Sequence, residues 1–337
     1  MANRPLKVAM VGLGWWGRKM AAVANGAPND LKLVCAAEPY DGTAVQFCEE
    51  HELRFSPDYA AVLADPEVEA VILATPHDLH EEQIRLAVEA GKHIFCEKPL
   101  ALTREGAVRA VRACESRGLI LGMGHERRFE PPVVQMLAAA GDGSLGRILQ
   151  IEANFSHDKF LSLDPSNWRL NASHAPVAGM TATGIHLTDL AIKLLGPARD
   201  VRVVCENLAS SFPQGDTMSA HVRFKDGGTA YVSATLVTPF ISRFAVFGTQ
   251  GWIDIRDKAH VESPDGWVVT RASTGRAIEV AQVPPAEPVR DNLVAFARAV
   301  RGEIEYPIKG AELIENIALL EAIIASAQSG QVVTVAR

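Results

Sequence analysis

The sequence predicts an α/β protein in two parts, a parallel-sheet domain over residues 1–123 and an α+β domain over 124–337 built on a large, mostly antiparallel open sheet. Three observations carry this. Short apolar runs alternate with helical patterns up to about residue 120, as βαβ units require. A glycine-rich turn sits at the first strand–helix junction. Beyond that stretch the texture changes, and strand-like segments outnumber helices.

In order, residues 7–11 read as a strand, 16–25 as a helix, 31–37 as a second strand, 43–51 and 57–64 as helices, and 70–74 as a buried strand. In 80–90, Ile84, Leu86, Ala87 and Val88 oppose Glu81, Glu82, Arg85 and Glu89, and Gly91 ends the helix as a glycine just past a C-cap does. Residues 92–96 form a further strand, and Thr103 caps a helix that Gly118 stops. In the second part strands are expected over 148–155, 201–208, 219–224, 229–235, 243–247 and 252–255, with Asp226-Gly227-Gly228 as a hairpin turn. Helices are expected over 133–140, 185–195, 290–301 and 311–329, the last two free to pack back on the first domain.

Composition narrows the function classes. A net charge of −7 offers no basic field for a phosphate backbone, so nucleic acid is not an expected partner. No apolar run is long enough to span a bilayer, and the start of the chain lacks the layout of an export signal. The 5 cysteines are odd in number and widely spaced, which fits reduced thiols in the cytoplasm rather than a disulfide framework.

Gly12-Leu13-Gly14-Trp15-Trp16-Gly17 is a G-x-G-x-x-G that follows a strand and opens a helix. Its first glycine permits the turn, its second lets a pyrophosphate reach the backbone, and its third lets helix and strand pack closely. The helix N-terminus favours the phosphates. Glu38, at the end of the second strand, is placed to accept from the adenosine ribose hydroxyls. A carboxylate there repels a 2′-phosphate, and Pro39 and Tyr40 supply no arginine, so NAD is expected in preference to NADP. The first domain therefore reads as a Rossmann NAD-binding domain.

Four further segments carry a resemblance: Thr75-Pro76-His77-Asp78-Leu79-His80, Glu97-Lys98-Pro99, Arg128-Phe129-Glu130-Pro131 and Gly184-Ile185-His186-Leu187-Thr188-Asp189. In this order the chain resembles the glucose-fructose oxidoreductase, inositol dehydrogenase and MocA family over nearly its whole length. The resemblance implies an oxidoreductase acting on a small molecule, with Lys98 beside the nicotinamide and the reacting hydroxyl and Pro99 in a cis-capable turn. It implies that Thr75, Pro76 and His77 line the cofactor, with His80 and Glu97 on the same side, and that His186 is an acid/base residue facing the substrate. One position departs: four residues before His186, where many relatives carry Asp, stands Ala182.

Oxidising a carbinol requires a base near its optimal pKa, and histidine begins close to it. With Thr183 as helix N-cap, His186 falls in the first turn, where the macrodipole keeps the ring neutral, and a protonated Lys98 stabilises the developing alkoxide. Lys98, desolvated beside a cation, is the other candidate base. Asp189, one turn on, is a candidate to orient the imidazole or to make a helix-surface or interdomain hydrogen bond. Arg128, His157, Lys159, Trp168, Arg169 and His174 crowd the segment before this helix and, with Thr183, form the expected substrate side, suited to a sugar or to a substrate bearing carboxylate or phosphate. No metal-ligand spacing occurs, and no metal is expected.

The leading expectation is an NAD-dependent dehydrogenase of a secondary hydroxyl on a sugar, cyclitol or related ring. A redox-neutral enzyme that keeps its NAD and a non-catalytic NAD-binding sensor that lost its acid at Ala182 stand beside it. An open sheet must cover its outer face or edges, so a homodimer or homotetramer through the second domain is expected.

Overall fold

A computed structural model describes residues 4–39, 42–177 and 179–337; Tyr40 lies outside them. The chain divides into two compact units, one running to Glu126 and resuming over Pro288–Ile314, the other comprising Arg127–Glu287 and Glu315–Arg337.

The first unit is built on six parallel strands, β1 (Leu6–Val11), β2 (Leu31–Ala37), β3 (Arg54–Ser56), β4 (Ala70–Leu73), β5 (His93–Cys96) and β6 (Leu121–Met123), in the order β3-β2-β1-β4-β5-β6. Val8, Ala9, Met10, Val71, Ile72 and Leu73 are wholly buried, as strands covered on both faces require. Helices α1 (Trp15–Asn25), α2 (Gly42–Glu50), α3 (Tyr59–Ala64), α4 (His80–Glu89) and α5 (Arg104–Ser116) make the crossovers. Helix α3 starts later than its sequence pattern because the Asp58 carboxylate accepts the Ala60 N–H at 2.9 Å and caps it there. Thr103 caps α5, accepting from the Gly106 N–H at 3.2 Å. Strand order reverses between β1 and β4, which makes the carboxyl ends of these strands the ligand-binding edge.

The second unit holds α6 (Pro131–Gly141), α7 (Ile185–Leu195) and a nine-stranded sheet. Its strands are β7 (Ile148–Ser156), β8 (Ala198–Glu206), β9 (Thr217–Phe224), β10 (Thr229–Thr235), β11 (Ile241–Gly248), β12 (Gly251–Asp257), β13 (Trp267–Ser273), β14 (Glu279–Val283) and β15 (Val333–Thr334), ordered β14-β13-β12-β11-β7-β10-β9-β8-β15. All neighbours are antiparallel except the pair β7 and β10. Gly227 and Gly228, at φ 95 and 84°, turn β9 into β10. Met218, Ala220, Val222 and Phe224 point inward along β9 while Ser219 faces out, the alternation of a sheet with one covered face.

The chain then returns to the first unit with α8 (Pro288–Val300), and the division between units falls within α9 (Gly310–Ser329). Phe296 of α8 meets Phe95 of β5 edge to face, ring centroids 5.6 Å apart. The Tyr306 hydroxyl accepts the Met123 N–H at 3.0 Å and donates to Asn292 Oδ1 at 2.6 Å, while Asn292 Nδ2 donates to the Met123 carbonyl at 2.8 Å. A segment distant in sequence thus finishes the edge of the parallel sheet. Among the described residues, no helix is long and apolar enough to cross a membrane.

Candidate active site

The predicted cofactor residues lie at the carboxyl ends of adjacent strands. After β1, Gly12 sits at φ 92°, and a Cβ there would lie 2.7 Å from the Ala74 carbonyl oxygen. A Cβ on Gly17 would lie 1.9 Å from the Gly12 carbonyl, so only glycine lets α1 pack on the turn. At Gly14 nothing lies within 4 Å of an added Cβ, and the backbone is open on that side. Gly14 caps α1 without a side chain, and the first turn carries no acid, which leaves a helix N-terminus suited to an anion. Trp15 is exposed and Trp16 half-buried, their rings 5.4 Å apart. After β2, the Glu38 carboxylate accepts the Leu13 N–H at 2.5 Å, so the predicted ribose partner borders the glycine turn itself. These features fit a dinucleotide. Sequence reasoning missed Arg18, whose Nε donates to Leu13 O and whose Nη2 donates to Thr43 Oγ1, both at 2.9 Å; it lies inside a helix, outside any motif.

After β4, the Thr75 hydroxyl donates to Gln83 Oε1 at 2.5 Å. Pro76 opens a 3-10 turn over His77–Leu79 that runs into α4, and His77 is buried. His80 is wholly enclosed, with Nδ1 2.7 Å from the Pro99 carbonyl oxygen and Nε2 3.1 Å from that of Thr75. Burial lowers its pKa, against the pull of those two carbonyls. After β5, Glu97 is buried with its carboxylate lying over Gly124, where a Cβ would come within 2.5 Å of it. Lys98 is half-buried at the strand end, and the Lys98–Pro99 bond is cis.

In the second unit the motif helix begins earlier than expected. Met180–Gly184 form a turn of π-helix that continues directly into α7. Thr183 is therefore inside the helical run rather than its N-cap: its hydroxyl turns back to the carbonyls of Phe155 at 2.8 Å and Gly179 at 3.0 Å. His186 is thus not a first-turn residue, and the macrodipole argument for its neutrality falls away. Its buried ring lies 6.4 Å from that of Phe155.

Asp189 has both carboxylate oxygens gripped by Arg128, Nε at 2.6 Å and Nη2 at 2.7 Å. Its carboxylate makes a buried bond inside the second unit, not a helix-surface or interdomain one, and Arg128, expected at the substrate rim, is turned inward with 3% of its side chain exposed; a buried guanidinium needs such a fork. Ala182 packs on the apolar cluster of Phe160, Phe212 and Leu236. Arg169 stacks over the Trp168 ring at 4.4 Å. Lys159 pairs with Glu262 and lies 3.2 Å from His260 Nδ1, which is 3.0 Å from Glu262 Oε1. His260 lies 5.7 Å from Phe155 and 6.0 Å from buried His157, ring to ring. The contacts of His260, Glu262 and Phe155 were not legible in the sequence: no local spacing links these residues to Lys159 or His186.

A parallel sheet with a glycine cradle at its switch point is the build of a dinucleotide-binding protein. The family model described as "Oxidoreductase family, NAD-binding Rossmann fold" matches residues 6–125, and the GFO/IDH/MocA C-terminal domain matches residues 133–254. The chain belongs to the GFO/IDH/MocA oxidoreductase family and is an NAD(P)-dependent dehydrogenase acting on CH–OH groups. It is 30% identical over 275 residues, 80% of each chain, to a 1,5-anhydro-D-fructose reductase of Ensifer adhaerens. It is 28% identical over 263 residues to a scyllo-inositol 2-dehydrogenase (NAD(+)) of Bacillus subtilis, covering 76% of this chain and 75% of that one. A levoglucosan dehydrogenase in complex with NADH shares the fold, with a TM-score of 0.87 over 99% of this chain and 100% of that one at 24% identity.

Proposed function

We propose that this enzyme oxidises a secondary hydroxyl of a sugar, cyclitol or related ring, with NAD as cofactor and with Lys98 and His186 as its acid/base and oxyanion-stabilising groups. One observation carries the reading. Gly12 and Gly14 after β1, Glu38 after β2, Thr75 to His77 after β4, and Glu97 and Lys98 after β5 all converge on the carboxyl ends of neighbouring strands, where open α/β sheets hold their ligands. Gly12, Gly14 and Gly17 with the start of α1 hold the pyrophosphate, and Glu38 holds the adenosine ribose. When bound, the nicotinamide supplies the hydride acceptor. Lys98 and His186 divide the remaining work, one removing the hydroxyl proton and the other holding the oxygen as charge develops on it. Trp168 and Arg169 offer a flat, cationic surface of the kind that suits a polyhydroxylated ring. The named relatives act on such compounds, which supports this substrate class.

The test is a panel of inositols, anhydrosugars, aldoses and hydroxy acids, read for reduced cofactor. Lys98→Ala and His186→Ala are each expected to lower turnover about 10²- to 10⁴-fold; near-normal rates in both would misplace the site. Product without net reduced cofactor would make the cycle redox-neutral, and tight NAD binding without turnover would make the chain a sensor.

We also propose a cytoplasmic homodimer or homotetramer joined through the nine-stranded sheet. All five cysteines are free thiols, which suits a reducing compartment. The exposed Tyr231 ring stacks on His221 at 4.6 Å, and Arg243 bridges Glu152 and Asp254 beside it, a surface of aromatic and paired charge that a second copy can match by two-fold symmetry. Sedimentation at micromolar concentration is expected to give the dimer or larger; a monomer refutes the assembly.

A further inference from the structure

We propose that His80 is the positioning residue of Lys98: its buried imidazole fixes the turn of Lys98 and Pro99 by donating a hydrogen bond to the Pro99 carbonyl. The inference rests on the role given to Lys98 above.

The geometry sets a proton-counting problem. Both ring nitrogens of His80 face main-chain carbonyl oxygens, Nδ1 that of Pro99 at 2.7 Å and Nε2 that of Thr75 at 3.1 Å. A carbonyl only accepts, and a neutral imidazole has a single N–H, so only an imidazolium satisfies both. The ring is 0% exposed, which opposes the charge, and Lys98 opposes it further, while Asp78 and the two carbonyls favour it. These are the charged groups that act on the ring from its own turn and from the turn after β5, with the imidazole of His77 6.2 Å away. Burial dominates, the ring is neutral near pH 7, and its one proton goes to the shorter contact. Nδ1–H donates to Pro99, and Nε2 lies against Thr75 O as van der Waals contact.

The consequence is asymmetric. The bond from His80 to the Pro99 carbonyl is buried; without His80 that oxygen loses this donor, and the turn bearing Lys98 loses a fixed point. The Thr75 loop has its own anchor in the bond from its hydroxyl to Gln83. His80, the first residue of α4, therefore matters more to Lys98 than to the loop.

Two near-isosteres separate the nitrogens. In His80→Asn the amide N occupies the place of Nδ1 and keeps the donor to Pro99; in His80→Gln it occupies the place of Nε2 and faces Thr75. Both leave one buried donor, so both are compared after thermal melts confirm a folded chain. On the panel substrate turned over fastest, His80→Gln is expected to lower kcat about 10- to 100-fold while His80→Asn stays within about 3-fold, with the Kd for NAD within about 2-fold in both. Equal kcat in the two variants, or a loss confined to NAD affinity, overturns the proposal. Independently of turnover, ¹⁵N spectra of the cofactor-free protein are expected to show His80 as the neutral Nδ1–H tautomer; the Nε2–H tautomer overturns it as well. Full turnover in Lys98→Ala overturns the reading on which it rests, and is distinguished by leaving the tautomer unchanged.

Discussion

Burial alone would raise the pKa of Glu262, yet the hydrogen bonds and positive charges of His260 and Lys159 outweigh it and bring the carboxyl down from 4.5 to about 2. A carboxyl whose pKa is lower folded than unfolded stabilises the fold above its unfolded value and loses that contribution as pH falls. Glu262→Gln is therefore expected to destabilise the protein at neutral pH, by about 1 kcal/mol for a partly solvated pair. Between pH 4.5 and about 2 the gap from the parent should close, read by urea unfolding of both chains across that range. A gap that persists at low pH would mean that Glu262 acts through packing. This cluster was hidden from the sequence because Lys159 and Glu262 stand 103 positions apart. The strand-end positions of Lys98 and Glu38 were legible for the opposite reason: each belongs to a local pattern tied to the strand it follows. Arg128 was legible as a motif residue but not as a buried one, since nothing local to it tells that Asp189 receives it.

At the level of elements, the turn between β1 and α1 separates binding from folding. An alanine at Gly14 meets no atom within 4 Å and suits its φ of −61°, so Gly14→Ala is expected to melt as the parent does. With the pyrophosphate held as proposed, its methyl group would crowd the phosphates, and NAD affinity should fall about tenfold or more. Gly17→Ala drives a Cβ into the Gly12 carbonyl at 1.9 Å, backbone against backbone, and should cost about 1–3 kcal/mol of stability as well as affinity. Fluorescence of Trp15 and Trp16 on NAD titration, beside thermal melts, reads both quantities; a Gly14→Ala chain that binds normally would remove the pyrophosphate from this turn. The same turn shows why some elements could be read and others not. Helix α1 and its glycines announce themselves by spacing, whereas β14 is exposed along most of its length and has no alternation to detect. The start of α7 was misread because Thr183 looks like a cap in sequence, while in the fold its hydroxyl bonds back to Gly179 and the helical path is already under way.

For the whole molecule, the chain's return decides what counts as a domain. Residues up to Glu126 contain every strand of the parallel sheet, yet that unit also includes Pro288–Ile314. The reason is physical. A Cβ at Gly122 would lie 2.7 Å from both Phe95 and Phe296, so β6 and α8 are fitted to each other, and both main-chain groups of Met123 bond to Asn292 or Tyr306. Hydrophobic periodicity reveals the helix at 290–301 and leaves its return to the first domain open, but it does not name the contacts, because long-range packing leaves no local signature. Phe296→Ala in the full chain is expected to cost about 3–5 kcal/mol, as emptying a fully buried aromatic site does. A fragment ending at residue 126 should lack a cooperative melt and bind NAD weakly, because it exposes Phe95 and leaves the Met123 groups to water; adding residues 288–314 through a flexible linker should restore both. Full NAD affinity and a sharp melt in the short fragment would instead make the return segment an accessory, and the boundary near residue 123 would then suffice for folding.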